Sequence, residues 1–238
     1  MNYEEIKKNF LVLVIMGFTS ISVFNSVVYY SLNYTQVLNG VLMISTIPVF
    51  IIFFSGLFKT ESIRIYQIIG VIISLLGVIS IITKLDLSLL LSLKLNKGDL
   101  WMLVAMISWT TYSLLLGKKK VKLEPFIFLQ TIIIIGLLFL FPMYLAEFLV
   151  GKKINFNFPV LMTIGYVVFF AGIGAYTFWN AAIKLIGPSR SGVFLHLMPI
   201  FSSLMAVFLL GEQFSFHHIV GTLLIISGIL LSSKKQTI

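Results

Sequence analysis

The 238-residue sequence contains no cysteine. That excludes a disulfide framework, a thiol nucleophile and a thiolate metal site. Charge is also scarce. Charged residues make up 11% of the chain, where a soluble domain carries about 25%. Only 8 residues are acidic, and none lies deep in an apolar run, which argues against a buried carboxylate relay. Of the 3 histidines, His217 and His218 are adjacent, so on a helix they point to different sides and make a poor chelate. The patterns G-x-x-x-x-G-K-[ST], H-E-x-x-H and G-x-S-x-G do not occur. "AGIGAY" at 171–176 sits inside an apolar run and follows no strand, so it is no dinucleotide loop. No cofactor and no metal are expected.

What the chain has instead is apolar surface. Hydrophobic residues account for 59%, and the mean hydropathy is +1.07. A soluble core cannot bury that much, so lipid takes it. A helix needs about 20 apolar residues to cross the hydrocarbon. Eight such runs are read at 9–30, 36–58, 65–83, 99–117, 126–148, 160–183, 191–211 and 215–233. The fold class expected is therefore an all-α integral membrane protein. The breaks, such as "NYTQ", "KTESIR", "KLIGPSR" and "GEQ", are short enough to make neighbouring helices antiparallel. The first run is too long for a signal h-region and lacks an A-x-A-like site, so it reads as retained.

The formal net charge of +9 would point to nucleic acid in a soluble chain. Here the basic residues lie between spans, and no nucleic-acid partner is expected. The N-terminus and alternate loops carry Lys7, Lys8, Lys59, Arg64, Lys118, Lys119, Lys120, Lys122, Lys184, Arg190, Lys234 and Lys235, which is 12 of the 17. The other side has Lys84, Lys94, Lys97, Lys152 and Lys153. The richer side is expected in the cytoplasm, with both termini. The expected location is the inner or plasma membrane.

Two stretches repeat. "TIPVFIIFFSGLFKTE" at 46–61 matches "LMPIFSSLMAVFLLGE" at 197–212 with an offset of 151. Pro48 pairs with Pro199, Phe50 with Phe201, Glu61 with Glu212, Gly70 with Gly221 and Gly77 with Gly228. Proline and glutamate are rare here, so five matches at one offset argue for an internal repeat over chance between two apolar segments. Such repeats are common in secondary transporters. The second copy holds five spans and the first three. The expected division is a partial first repeat at 1–83, a connecting loop at 84–98 and a second repeat at 99–238. Glu61 ends its span on the basic side and Glu212 on the opposite side, as inverted copies require.

These residues carry a resemblance. "STIPVFIIFFSGLFKTESIRIYQIIGVIISLLGVISII" and "HLMPIFSSLMAVFLLGEQFSFHHIVGTLLIISGILL" resemble the repeated core of the EamA family of the drug/metabolite transporter superfamily. "GDLWMLVAMISWTTYSLLLGKKK" looks like the helix that opens the family's second repeat, and "AYTFWNAAIKLIGPSRSG" like the segment leading into its proline helix. The resemblance implies ten helices in two inverted repeats of five, of which the first two are lacking here. Two further helices are expected from an upstream extension or a partner, and a homodimer is an alternative.

Pro48 and Pro199 each remove a backbone donor, and in lipid the freed carbonyls need partners inside the protein. Glu61 and Glu212 read as charges that end a helix and cap the next one. Gly70, Gly77, Gly221 and Gly228 read as close-packing positions. Polar and aromatic side chains inside spans are the candidate solute contacts: Asn25, Tyr29, Asn39, Ser45, Trp109, Tyr112, Tyr176, Trp179, Asn180 and His196. Each needs a partner away from lipid, so each is expected inside the bundle, though helix–helix hydrogen bonding is an equal reading for any one of them. His196 is placed on the cavity side of the Pro199 bend, and Ile225 toward lipid. Together they outline an aromatic, amphipathic lining of little fixed charge. The functional expectation is a permease or exporter of small organic metabolites, amino-acid-like or drug-like, working by alternating access. Its partners are the bilayer and the solute. A truncated non-transporting remnant or helper subunit is the alternative, and an integral-membrane enzyme is a weaker one.

Overall fold

The computed structural model describes residues 2–92, 94, 96–119, 121–151, 154–211 and 213–234. Glu212, Lys120, Lys152, Lys153 and Lys235 fall outside the described residues. The rest is helical, with no strand among the described residues. A short helix α1 (Asn2–Lys8) leads into α2 (Phe10–Ser31). Then come α3 (Leu38–Leu57), α4 (Ile65–Ile82), the single turn α5 (Leu87–Leu91), α6 (Lys97–Lys118), α7 (Pro125–Leu149), α8 (Phe158–Ile186), α9 (Pro188–Leu210) and α10 (Phe216–Ser232). Seven of these are long and apolar enough to cross a membrane, and α10, of 17 residues, is a shorter apolar helix. The chain is an all-α, multi-pass membrane protein.

Local chemistry sets the breaks. Asn96 and Asp99 form a reciprocal cap at the start of α6, with Asp99 N–H donating to Asn96 Oδ1 (3.1 Å) and Asn96 N–H to Asp99 Oδ2 (2.9 Å). Asp86 begins α5 by accepting from Ser88 N (2.8 Å) and Ser88 Oγ (2.6 Å), and these donors hold its carboxyl below the usual range. So the segment expected as a plain connecting loop contains a capped helical turn. The break expected at 184–190 is smaller than its composition implies. Lys184 to Ile186 complete α8, Pro188 occupies the first turn of α9, and Gly187 alone turns the chain, at φ +85°. Proline costs little at a helix start, where its missing N–H has no intrahelical partner anyway.

Pro48 and Pro199 follow the same rule. Each is buried, and each lies at the start of a restarted α-helical stretch rather than inside a continuous one. Ile47–Leu57 restarts after a turn at Ser45 and Thr46, and Met198–Leu210 after a 3₁₀ turn at Phe194–Leu197. Two π-helical stretches interrupt α2 and α8, at Phe18–Phe24 and Val167–Gly174. Shifted by 151 residues, the first overlaps the second.

The tightest helix pair is α4 against α10, running antiparallel. A Cβ at Gly70 would stand 2.6 Å from Gly228 O, and one at Gly77 would stand 2.6 Å from Gly221 O. Backbone meets backbone, as small-residue seams in membranes allow. Ile225 lies in this seam fully buried, and its expected lipid-facing placement is corrected. The apolar core sits where α2, α3, α6 and α7 meet, around Leu13, Met16, Ile51, Met106, Phe128 and Ile132. Helix α1 docks back on this unit, because Glu5 Oε1 accepts from Lys122 N (2.9 Å). The N-terminus and the α6–α7 connection therefore share one side of the bundle.

Candidate functional site

Six of the ten residues chosen from sequence come together. Trp109 of α6 is the hub. Its ring centroid lies 4.6 Å from Phe24, 5.5 Å from Tyr112, 5.4 Å from Tyr176 and 5.4 Å from Trp179. These rings come from α2, α6 and α8, and their tilted and edge-on arrangements are the ones that aromatic quadrupoles favour.

Hydrogen bonds tie the polar edges together. Tyr112 OH donates to Asn180 Oδ1, and Trp179 Nε1 donates to Ser113 Oγ at 3.3 Å. Tyr176 OH donates to Ser20 O at 2.6 Å, and Asn25 Nδ2 donates to Tyr176 OH at 3.1 Å. Asn25 Nδ2 also reaches Ser20 O (3.0 Å) and Ile21 O (3.1 Å). Those carbonyls belong to the π-helical stretch of α2, a kind of interruption frequent at functional sites. Asn25 and Tyr176 thus bond the backbone of the π stretch from its side-chain face. Trp109, Tyr112, Tyr176 and Asn180 are buried, while Asn25 and Trp179 are half-buried. No ionisable acid, lysine or arginine belongs to the group.

Two other candidates form a second centre. His196 is fully buried, with both ring nitrogens engaged. Its Nε2 lies 2.7 Å from Ser45 O and its Nδ1 2.5 Å from Ser74 Oγ. A carbonyl only accepts, so Nε2 carries the proton and Nδ1 accepts from the Ser74 hydroxyl. The reason lies at the Pro48 restart. Val49 N–H bonds Thr46 O at 2.9 Å, which leaves Ser45 O without its usual helical donor. His196 supplies one. The expected placement of His196 facing a cavity is therefore corrected: in this conformation it fills the joint between α3, α4 and α9.

The remaining two candidates stand apart. Tyr29 is 62% exposed and does not share the inward face of Asn25. Asn39 is buried, and its Oδ1 has no partner.

Two contacts escaped sequence reasoning. Asp99, buried at the start of α6, accepts from Thr35 Oγ1 at 2.5 Å and so joins the α2–α3 connection to α6. Its Asn-x-x-Asp spacing is the signal that would have found the cap, though not the cross-link. Glu61 does not cap the next helix in sequence, whose first turn is capped through Gln67. Instead Glu61 Oε2 accepts from Ser189 N (2.9 Å) at the start of α9. Its carboxylate lies where a Cβ at residue 187 would have to be, so Gly187 is needed there for space as well as for φ. Ser189 Oγ and Ser55 Oγ close the contact at 3.2 Å. A negative charge at the N-terminus of a long helix is favourable, so this contact is a charge-assisted latch between α3 and α9.

Known proteins bear on this arrangement. The chain aligns at 25% identity over 231 residues with a Bacillus subtilis (strain 168) protein named "Uncharacterized transporter YyaM", covering 97% of this chain and 75% of that protein. A protein of Archaeoglobus fulgidus named "Uncharacterized transporter" is 28% identical over 225 residues, covering 94% of this chain and 75% of its own. One solved crystal structure shares the fold, with a TM-score of 0.73 at 16% identity over 96% of this chain and 82% of its own. The profile of the EamA-like transporter family matches residues 2–83 and 96–234. Family, relatives and apolar helices agree on a membrane transporter, and the chain belongs to the EamA-like transporter family.

Proposed function

We propose that the protein is a permease or exporter of small organic solutes, amino-acid-like or drug-like, working by alternating access in the cell membrane with both termini in the cytoplasm. One observation carries this reading: positions related by the 151-residue offset meet across helix–helix contacts. Asn25 bonds Tyr176, and Ser45 bonds His196. In the α4–α10 seam the partners are exchanged, as a two-fold relation requires: Gly70 meets Gly228, the counterpart of Gly77, and Gly77 meets Gly221, the counterpart of Gly70. Inverted repeats related by a pseudo-two-fold axis place equivalent positions face to face in this way, with the solute site at their interface. The Trp109 group lies at that interface. Its aromatic walls and amide and hydroxyl edges suit a solute with a flat apolar part and a few hydrogen-bonding groups. Its lack of fixed charge suits a neutral or zwitterionic one.

The repeat also bears on partners. Under the 151 shift, the fully buried Leu13 and Met16 of α2 correspond to Ile164 and Val167 of α8, both about two-fifths exposed. None of the membrane window of α8 is buried. The face of α2 that packs on α6 and α7 therefore has an open counterpart on α8. A further pair of helices, from the same polypeptide, a partner or a second copy, is the occupant that the symmetry calls for.

Counterflow in proteoliposomes tests the site. With labelled tryptophan, phenylalanine and tetraphenylphosphonium as probes, exchange of at least one is expected. Asn180→Ala should abolish that exchange, and Leu230→Ala, on an exposed position of α10, should leave it intact. Unchanged exchange in Asn180→Ala, Trp109→Ala and Tyr112→Phe would remove the site.

A further inference from the structure

A cavity of about 370 Å³ lies between the C-terminal part of α3 and the neighbouring face of α6. Ligand pockets start near about 300 Å³, so it has room for a small organic molecule. On α6 it is lined by Ile107, Thr110, Thr111, Leu114, Leu115 and Lys118. These recur every three or four residues and make one helix face. Trp109, Tyr112 and Ser113 point the other way, so the cavity and the Trp109 group are separate sites on opposite sides of α6.

The chemistry of the cavity changes along its length. At one end stands Lys118, an exposed ammonium on the lysine-rich side of the bundle. Two phenyl rings, Phe54 and Phe58, line the α3 wall, stacked 5.8 Å apart at 10°. At depth is Thr110, 1% exposed, whose hydroxyl has no partner. Helical threonines normally bond a carbonyl one turn back, as Thr111 beside it does with Ile107 O at 2.8 Å. A buried hydroxyl without a partner is costly, and Thr110 is one of the residues that line the cavity. Lys118 lies eight positions after Thr110, which is about 12 Å of helix.

We propose that this cavity binds an elongated organic anion. Its carboxylate pairs with Lys118, its alkyl or aryl body lies against Phe54, Phe58 and Leu115, and a polar group about 12 Å away meets the Thr110 hydroxyl. The anion can come from the bilayer, as a fatty acid, or from water, as an arylalkanoate. Both present the same carboxylate-plus-apolar chemistry.

Photolabelling tests the proposal. The probe is 12-hydroxydodecanoate carrying a mid-chain diazirine, with its methyl ester as control, applied to the protein in phosphatidylcholine nanodiscs. Saturable labelling is expected in 53–60 and 107–118 from the acid and not from the ester. Lys118→Gln should weaken labelling about tenfold, as loss of a charge-assisted bond does. Thr110→Val, which keeps the shape, should weaken it about threefold while raising the unfolding temperature of the empty protein, because it removes a buried unpaired hydroxyl. Protection by aqueous 4-phenylbutyrate supports the proposal with a water-borne anion. Protection by unlabelled dodecanoate alone supports it with a bilayer-borne one. Equal labelling by acid and ester, labelling spread over the other exposed helices, or full labelling of Lys118→Gln would overturn it. Asn180→Ala should leave labelling unchanged, so failure here and failure of the transport reading are told apart.

Discussion

Small differences at single side chains decide how this bundle packs. Gly77→Ala would place a methyl carbon 2.6 Å from the Gly221 carbonyl oxygen. A destabilisation of about 1–3 kcal/mol is expected, since backbone on both sides resists the shift. Gly56→Ala, with nothing within 4 Å, is the matched control, and thermal unfolding in detergent compares them. His196→Ala leaves the Ser45 carbonyl and the Ser74 hydroxyl without their partner. It should lower the unfolding temperature, at a cost of about 1–3 kcal/mol for each buried group left unpaired. Stability unchanged in that variant would mean that water or a neighbour takes over both bonds. Apolar spacing and residue type were enough to single out Asn25, Trp109, Tyr112, Tyr176, Trp179 and Asn180 as inward, because a polar side chain in a span has few other places to go. The same reasoning missed the way His196 faces and overrated Tyr29. Polarity says that a side chain needs a partner. Whether the partner is a solute or an orphaned carbonyl two helices away depends on the tertiary arrangement.

At the scale of elements, span positions were legible in the sequence and span endings less so. Runs of about 20 apolar residues are dictated by the bilayer, and all eight expected runs became helices. The exception to the expected breaks is instructive. "KLIGPSR" reads as a loop by composition, yet proline at a helix start and one glycine at positive φ compress the turn to a single residue. The π stretches left no local signal: the first is bonded at Ser20 O and Ile21 O by Asn25 and Tyr176, and Tyr176 comes from a distant segment. The Glu61 latch belongs to this scale. Glu61→Gln keeps the shape but weakens the bond to Ser189 N–H and removes the charge at the α9 N-terminus, at a cost of about 1 kcal/mol. Hydrogen exchange at residues 188–192 should quicken in that variant, while exchange at residues 100–112 stays the same. Because the chain has no cysteine, Ser55→Cys with Ser189→Cys gives a pair free of background. Its oxidation should lock α3 to α9 and stop transport until reductant is added.

Over the whole molecule, the 151-residue offset read from prolines and glycines reappears as face-to-face pairs and as matching π stretches. Reporter fusions after Lys120 and after Lys153 are expected to give cytoplasmic and external signals respectively. The same signal from both would break the inverted arrangement. Sequence could not show which faces lack neighbours, because lipid-facing and helix-facing residues are equally apolar. Only the comparison of α2 with α8 reveals that. The proposed transport has two inverted halves rocking about the Trp109 group, and it requires the Glu61–Ser189 contact to open and close with them. Pulsed electron spin resonance between labels at Lys59→Cys and Leu185→Cys, in lipid nanodiscs, tests it most directly. Both sites are exposed, near opposite partners of the latch. Two distance populations are expected, with Glu61→Gln moving weight to the longer. A single distance, unchanged by Glu61→Gln, would rule out rocking coupled to this contact.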